Sequence, residues 1–205
     1  MRLTRAQARQ RNHDALVDAA MDEMADKGYA AARLEDIAER AEVTTGAIYS
    51  IFGSKQKLMV AAAERLAGDF GAELAPLEEA ELSLPEVLRG VATAYYRAFA
   101  GPEARRRLTF ELELFGLLLR DPAAGRKLVD AMPQRPEDLI ARLLTGRRLT
   151  ERPRAAKTTA DQARRLAPAV AALLSGLVQR AVVEPDSVDE DYCADAAVAL
   201  AALVG

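Results

Sequence analysis

The sequence predicts an all-α protein, and three observations support this fold class. Alanine and leucine dominate a chain of 205 residues in which 50% of the residues are hydrophobic, 5% are aromatic and none is tryptophan. Apolar residues recur at intervals of three and four along most of the chain, which is the spacing of one helix face. No run rich in β-branched or aromatic residues alternates as a strand would. We expect about nine helices around a sizeable core.

The first helix is expected over about Ala6 to Lys27. Leu16, Ala20 and Met24 repeat at four-residue spacing on its apolar face. Gly28 follows as a residue that can adopt a positive φ, which commonly ends a helix.

Between Leu34 and Lys57 the sequence LEDIAERAEVTTGAIYSIFGSKQK predicts two short helices joined by a turn at Glu42 to Thr44. Each helix has one apolar face, and the charged residues of the first lie opposite it. The pattern is that of a helix-turn-helix. The inward positions are Leu34, Ile37, Ala38 and Ala41 in the first helix and Val43, Ala47, Ile48, Ile51 and Phe52 in the second.

The outward face of the second helix is small, hydroxylated and uncharged, and it consists of Thr44, Thr45, Gly46, Tyr49 and Ser50. A recognition helix lies in a major groove about 12 Å wide, where bulky side chains at its first turn would hold it away from the bases. Threonine offers a hydroxyl and a methyl group, glycine permits close approach, and tyrosine can reach a phosphate. The sequence therefore predicts a DNA-reading helix.

Positive charge is concentrated near this segment, although the chain has a net charge of −3. Residues 1–13 contain Arg2, Arg5, Arg9 and Arg11 and no acid, so this stretch either contacts phosphate or is simply solvated. Ser54 is predicted to cap the next helix, and Lys55 would then face a phosphate together with the helix N-terminus.

The remaining chain is predicted to form further helices with identifiable ends. The helix from Lys55 is expected to stop near Leu74, before Pro76. Ser83 to Glu86 has capping-box spacing and begins a helix that runs to about Ala100 and stops at Gly101-Pro102. A further helix ends at Leu119.

Residues 123–146 are predicted to form two helical pieces, since Pro133 and Pro136 interrupt them. Residues 147–158 indicate an exposed loop, whose basic run is either a solvated surface or a second DNA contact. A helix kinked near Pro168 should cover residues 159–183, and Ser187 should cap a last helix to about Val204. We divide the chain into a DNA-binding domain, residues 1–54, and a helical domain, residues 55–205.

These motifs resemble the tetracycline-repressor (TetR) family of bacterial transcriptional regulators. LVDAAMDEMADKGY resembles the family's first helix, DIAERAEVTTGAIY its helix-turn-helix, and FGSKQKL the start of its fourth helix. About a fifth of the chain carries this specific pattern, and ELELFGLLLRDP resembles the end of a later helix. The resemblance implies that Thr44, Thr45 and Gly46 begin the reading helix and that Tyr49 and Lys55 hold phosphates. Arg33 departs from the usual Ser or Thr cap and could itself bind phosphate.

The resemblance also implies a homodimer, a small-molecule cavity in the helical domain, double-stranded operator DNA as partner, and a repressor released by its effector. Composition suggests an apolar effector. An activator of the same fold, or a ligand-binding or protein-interaction module without a DNA role, remains open. The candidate cavity residues, each of which could instead be plain core, are Leu66, Phe70, Tyr95, Tyr96, Phe99, Phe110, Leu114, Phe115, Leu118, Leu143 and Leu174.

The last two helices have wide apolar surfaces rich in alanine, which suit either a dimer interface or burial within the monomer. The candidate interface residues are Ala171, Leu174, Val178, Ala197, Leu200, Ala201 and Val204.

Other classes of function have no support in the sequence. The chain has no GxSxG, P-loop or GxGxxG motif, so we expect neither catalytic residues nor a cofactor. His13, the only histidine, lacks partners for a metal site, and no metal is expected. The single cysteine, Cys193, and the missing signal peptide suggest the cytoplasm, and no apolar run approaches the ~20 residues of a membrane span.

Overall fold

A computed structural model describes residues 4–79, 81–100, 104–130 and 135–204. These residues form ten α-helices, two short 3-10 helices and no strand beyond an isolated bridge, which confirms the all-α prediction. In chain order the helices are α1 (Arg5–Ala31), α2 (Leu34–Arg40), α3 (Thr45–Ile51), α4 (Lys55–Glu79), α5 (Leu84–Ala100), α6 (Ala104–Arg120), α7 (Pro122–Asp130), α8 (Pro136–Leu144), α9 (Ala160–Val183) and α10 (Glu190–Ala199).

The chain divides into two compact units. Unit 1 comprises Met1–Leu66 and Arg106–Pro133, and unit 2 comprises Ala67–Arg105 and Gln134–Gly205. Unit 1 therefore contains α1 to α3, the first part of α4, most of α6 and α7. The predicted functional division between residues 54 and 55 is a different kind of boundary, and it stays a prediction.

The first helix begins and ends as its sequence predicts. Thr4 forms a capping box with Gln7: its hydroxyl accepts from the Gln7 amide, and the Gln7 side chain accepts from the Thr4 amide. Gly28 has φ 78° and interrupts the helical backbone inside α1, because glycine pays no steric cost in that region. The regular part of the helix thus stops at the predicted residue.

The core of unit 1 is built from the apolar faces of α1, α2, α3, the start of α4 and α6. The predicted inward positions Ile37, Ala38, Ile48 and Phe52 are buried, and Leu34, Ala41, Val43 and Ile51 are half-buried against the same core. The largest fully buried side chains of this core are Leu16, Met24, Ile37, Ile48, Leu58, Met59 and Phe110.

Unit 2 has its own core. It is formed by the second part of α4 together with α5, α8, α9 and α10, and Cys193 is buried in it. The largest fully buried side chains are Leu74, Leu84, Leu88, Ile140 and Leu144.

The predicted end of α4 near Leu74 is wrong, because the helix continues through Pro76 to Glu79. Proline removes one amide from the helical ladder and its ring crowds the preceding turn, so a helix that continues past it needs support from elsewhere. The carbonyl groups left at the end of α4 have a partner in Arg147, whose Nη2 donates to Leu77 O at 2.6 Å and to Glu78 O at 3.4 Å. A distant arginine, invisible to local sequence rules, therefore supports the last turn.

The segments that follow agree with the predicted breaks. Glu86 accepts hydrogen bonds from the amide and the hydroxyl of Ser83, both at 2.7 Å, ahead of α5. Helices α7 and α8 are separate, as expected from Pro136; Pro133 and Gly101-Pro102 lie outside the described residues.

The basic segment between α8 and α9 is more ordered than the predicted loop. Arg148 and Lys157 form an antiparallel bridge, and Leu84 N donates to Arg148 O at 2.7 Å. Leu149 of this segment packs against the core of unit 2. The structure leaves Arg152 and Arg154 exposed.

Helix α9 is assigned as one helix through Pro168, and the kink expected there stays a prediction. One expectation for the last helices needs revision. Ser187 does not cap α10: its hydroxyl donates to Glu184 O at 2.7 Å in a 3-10 turn, whereas Asp189 accepts from Tyr192 N at 2.7 Å. Aspartate ranks with serine as an N-cap residue, so local sequence alone allowed either choice.

Helix α9 is also long and apolar enough, by length and composition alone, to cross a membrane. The sequence analysis, which expected no apolar run long enough for a membrane span, therefore missed this helix. Only 28% of its most apolar window is buried within the chain. A core helix of a soluble protein passes the same test, so one such helix is weak evidence for a membrane span.

Candidate nucleic-acid interface

The turn between α2 and α3 is closed by backbone hydrogen bonds and contains one strained residue. Val43 N donates to Ala38 O at 2.9 Å, and Glu42 N donates to Glu39 O at 3.0 Å. Glu42 has φ 55°, a left-handed conformation that costs a residue with a Cβ about 1 kcal/mol or more. These bonds fix the direction in which α3 leaves the turn.

The predicted reading face, consisting of Thr44, Thr45, Gly46, Tyr49 and Ser50, lies at the surface of unit 1. Thr45 is half-buried, the other four residues are exposed, and Tyr49 is 58% exposed. Thr44 occupies the N-cap position of α3 without a side-chain capping bond, so the helix does not use its hydroxyl. Ser50 instead donates to Ala47 O at 3.0 Å. The geometry leaves a shallow uncharged face that could enter a groove.

The opposite side of α3 anchors it in the core. Ile48 is fully buried and Phe52 is 8% exposed. The Phe52 ring lies 4.9 Å from the ring of His13, tilted by 34°. His13 is therefore a half-buried packing residue, and the described residues contain no group of three or more His, Cys, Asp or Glu side chains that could hold a metal ion.

The two cationic residues predicted to flank the reading face are placed very differently. Arg33 is exposed at the N-cap position of α2 and makes no side-chain capping bond, so its guanidinium lies on the surface. Lys55 is half-buried, and its Nζ donates to Tyr29 O and to Ala32 O, each at 2.5 Å. Burial lowers the pKa of the Lys55 ammonium from its ordinary value. Ser54 caps α4 as predicted, accepting from Lys57 N at 3.2 Å.

Sequence reasoning missed a carboxylate from α6 beside these residues. Glu113 Oε2 accepts from the backbone amide of Tyr29 at 3.0 Å and lies 3.5 Å from Arg120. A Cβ at Gly28 would come within 3.2 Å of this carboxylate, so glycine is needed there for the close approach as well as for its positive φ. No local sequence pattern indicates this contact, because Tyr29 and Glu113 are 84 residues apart in the chain.

Sequence reasoning also missed a buried acid that joins α1 to α2. Glu23 is 2% exposed and forms ion pairs with Lys27 and with Arg40, the latter at 3.1 Å. Arg40 also contacts Asp26 at 2.8 Å, and Lys27 contacts Asp36 at 2.8 Å. Arg40 and Asp36 belong to α2, whereas their partners belong to α1. These ion pairs therefore attach the first helix of the helix-turn-helix to α1.

The candidate cavity residues are divided between the two units. In unit 1, Phe110 is fully buried core, Leu66 and Leu114 pack against that core, Leu118 is half-buried, and Phe115 is 58% exposed. In unit 2, Phe70, Phe99, Leu143 and Leu174 are buried, while Tyr95 and Tyr96 are half-buried.

The aromatic residues of unit 2 pack on one another. Tyr95 stacks on Phe99 with 4.6 Å between ring centroids and meets Phe70 edge-on at 5.4 Å. The hydroxyl of Tyr96 donates to Val188 O at 3.4 Å. An open groove of about 580 Å³ also lies in unit 2, lined by Leu143 and five other residues, among them Glu78, Arg142 and Arg147. This groove is polar and contains only one of the candidate cavity residues.

The candidate dimer residues face the core of unit 2. Leu174, Val178, Ala197 and Val204 are buried, and Ala171, Leu200 and Ala201 are half-buried and pack against the same core. The apolar residues that α9 and the C-terminal segment expose are different ones. The large ones are Val182, Val183, Tyr192 and Leu203, exposed by 41 to 77%.

The order of these elements and the geometry of the turn agree with comparisons with known proteins. Residues 16–62, which include α2, the turn and α3, match the family model for bacterial regulatory proteins of the tetR family. The helix-turn-helix segment of this chain is therefore similar to that of the tetR family. Comparison with curated proteins finds no similar sequence. TetR-family proteins are transcriptional regulators that bind DNA, and they are generally ligand-responsive and non-enzymatic.

Solved structures show a likeness in fold over the whole chain. A TetR-like transcriptional regulator from Rhodococcus sp. RHA1 is 25% identical, with a TM-score of 0.65 and full coverage of both chains. A protein assigned to the TetR family from Rhodococcus sp. is 18% identical, with a TM-score of 0.71 and coverage of 95% of this chain and 98% of that one. The multidrug-binding protein EbrR in complex with proflavin is 23% identical, with a TM-score of 0.57 and coverage of 92% and 99%.

Proposed function

We propose that the protein is a dimeric repressor that binds a palindromic operator through α3 and leaves it when an apolar effector binds. The observation that carries the proposal is the reading face, Thr44 to Gly46 with Tyr49 and Ser50. An ordinary exposed helix face mixes lysine and glutamate, whereas this face has no charge and small side chains at its first turn. Such a face suits direct contact with base edges, and the exposed Arg33 at the N-cap of α2 suits a phosphate.

The proposed DNA role is also supported by the packing of α3, whose inner face is anchored in the core of unit 1. Ile48 and Phe52 fix α3 to the core, so the exposed hydroxyls are presented on a rigid element. A preordered surface loses little conformational entropy when it binds. A protein that had kept the fold without the DNA role would have no physical reason to keep this surface uncharged.

The dimer is proposed through the outward surfaces of α9 and α10. Helix α9 contains a window that is long and apolar enough to cross a membrane, yet only 28% of that window is buried within the chain. Exposed apolar surface of this extent is typical of a protein–protein interface. Val183, Tyr192 and Leu203 would then be buried by the second copy, and each copy would present its reading helix to one operator half-site.

We propose an apolar effector because α6 exposes several large apolar side chains. Leu112, Phe115 and Leu119 are spaced as one helical stripe and are 47, 58 and 69% exposed. Binding of an apolar ligand would remove this surface from water. The effector can release DNA only through its preference for a state with weak DNA affinity. EbrR, which is similar in fold, is a multidrug-binding protein solved with proflavin, so proflavin is a reasonable first probe.

The test is a fluorescence anisotropy titration with promoter DNA from the gene's own neighbourhood, paired with reporter expression from the same promoter. We expect a specific complex at moderate salt and higher reporter expression when the gene is deleted. Lower expression after deletion would identify an activator instead. A complex no tighter than that with shuffled DNA would overturn the proposal. Proflavin should weaken the complex of the native protein more than that of Phe115→Ala.

A further inference from the structure

The connection from the Gly28 break in α1 to the start of α2, residues 29–33, is held from two sides by charged side chains. From α6, Glu113 Oε2 accepts a hydrogen bond from the Tyr29 amide at 3.0 Å. From the first residue of α4, Lys55 Nζ donates to the carbonyl oxygens of Tyr29 and Ala32, each at 2.5 Å. A carboxylate thus holds the N–H of one peptide group, and an ammonium holds two carbonyl groups beside it.

Two of the three donors of the Lys55 ammonium are used within the protein, and the ammonium also lies against an aromatic ring. Two hydrogen bonds go to the carbonyl oxygens, and Nζ lies 4.5 Å from the centroid of the Tyr29 ring, within cation–π distance. A lysine ammonium has three N–H donors. In this arrangement at most one donor remains for a DNA phosphate, which is the partner that the sequence resemblance implies for Lys55.

The hydrogen bond between Lys55 and Ala32 connects residues on either side of the helix-turn-helix segment. Ala32 directly precedes Arg33, the N-cap of α2, and Lys55 lies four residues after Ile51, the last residue of α3. The bond between Lys55 and Ala32 therefore joins the two ends of the helix-turn-helix segment. Ala32 is 2% exposed, so its carbonyl group could not easily exchange this bond for one with water.

We propose that Lys55 and Glu113 are positioning residues for DNA binding. Lys55 closes the helix-turn-helix segment through Tyr29 and Ala32 without contacting phosphate, and Glu113 fixes the same connection to α6. This inference rests on the proposed DNA role. Without the hydrogen bonds from Lys55, α2 and α3 would sample more orientations. DNA binding would then be weaker, because ordering the two helices has an entropic cost.

The conformation of Gly28 supports the hydrogen bond between the Tyr29 amide and Glu113. Gly28 has φ 78°, and a Cβ there would lie 3.2 Å from Oε2 of Glu113. The backbone at the end of α1 therefore turns so that the Tyr29 amide meets the carboxylate at close range. Arg120 Nη2 also lies 3.5 Å from Oε2 of this carboxylate and forms an ion pair with it.

The first arm of the test separates positioning by Lys55 from phosphate contact by measuring salt dependence. Lys55→Met keeps most of the side-chain length and removes the charge, and Lys57→Met is the matched control at an exposed position two residues later. Affinity for promoter DNA is measured at several salt concentrations by anisotropy. We expect Lys55→Met to weaken binding at least about tenfold while the slope of log K against log salt is unchanged. Loss of a phosphate contact lowers the magnitude of that slope by about 0.9, and this result would overturn the inference.

The second arm needs no DNA. Exchange of the Tyr29 amide hydrogen is compared by NMR in the native protein, Glu113→Ala and Glu113→Gln. The alanine variant should exchange at least about tenfold faster, and the glutamine variant, which keeps an acceptor oxygen, should restore much of the protection. Equal exchange in the native protein and Glu113→Ala would refute the contact. If exchange responds but the native protein binds no specific DNA, the proposed function fails while the contact itself stands.

Discussion

Arg40 of α2 donates to Glu23 of α1 at 3.1 Å, and the Glu23 carboxylate is only 2% exposed. Lys27 pairs with the same carboxylate. Both cations are themselves partly exposed, so each can be hydrated if the acid is removed. The carboxylate has no such alternative, and its charge depends on its two partners.

The first prediction concerns this buried acid. The double variant Lys27→Met/Arg40→Met should lower the free energy of unfolding by about 3 kcal/mol, because it leaves a buried charge without compensation. Adding Glu23→Met should restore most of that loss, since no buried charge then remains. Urea denaturation at neutral pH measures both steps.

The control for this cycle is Arg89→Met, which breaks an exposed pair with Asp195. An exposed pair contributes only about 0–1 kcal/mol, so this variant should be nearly neutral. A triple variant no more stable than the double variant would contradict the account of Glu23.

The second prediction concerns the left-handed residue in the turn. Glu42 has φ 55°, and Glu42→Gly should raise the free energy of unfolding by about 0.5–1 kcal/mol, because glycine adopts this conformation without steric cost. Chemical denaturation measures the change. Glu42→Ala removes the same charge but keeps a Cβ, so it should show no such gain. Equal stabilisation by the two variants would mean that the charge, and not the backbone, is responsible.

Much of unit 1 could be predicted from the sequence because its signals are local. The spacing of Ile37, Ile48 and Phe52 specified which faces are buried, and Gly28 specified where the first helix breaks. Glu23 could have been found too. It follows Leu16 by seven residues and Ala20 by three, so it falls on the buried face despite its charge.

Other features could not be predicted because they depend on residues far apart in the chain. The partners of Lys55 lie 23 and 26 residues away, and Arg147 supports the end of α4 from 70 residues away. In α9 and α10 both faces are rich in alanine and apolar residues. Periodicity therefore could not decide whether Leu174 or Val183 faces the core, and only the structure places Leu174 inside.

The third prediction concerns Arg33, which occupies the N-cap of α2 without a capping bond. Arg33→Ser supplies a hydroxyl for that role and should raise the free energy of unfolding by about 1 kcal/mol. The same change removes an exposed cation, so DNA affinity should fall and the salt slope should drop by about 0.9. Denaturation and anisotropy report the two effects separately. Arg33→Ala should show the loss of affinity without the gain in stability; an unchanged salt slope in both variants would exclude a phosphate contact.

The fourth prediction concerns the proposed dimer surface. Gly176 lies exposed on α9, and a Cβ there would meet nothing within 4 Å. Gly176→Lys should therefore leave the monomer folded, with helix propensity improved by about 0.5–1 kcal/mol, while placing a bulky charge in the interface. Sedimentation velocity should show a monomer. Gly68→Lys is the matched control, since Gly68 is an exposed glycine of α4 with equally open surroundings and should stay dimeric. A dimeric Gly176→Lys would place the interface elsewhere.

The most direct test of the central claim is selection of bound sequences from a random DNA library by the native protein and by Thr45→Ala. The account predicts that the native protein enriches an inverted repeat with its half-sites on one side of the duplex. Thr45→Ala should lose base preference at the same position in both half-sites, because Thr45 begins the reading helix of each copy. Enrichment of no sequence, or of an identical motif by both proteins, would contradict direct reading of an operator by this face of α3.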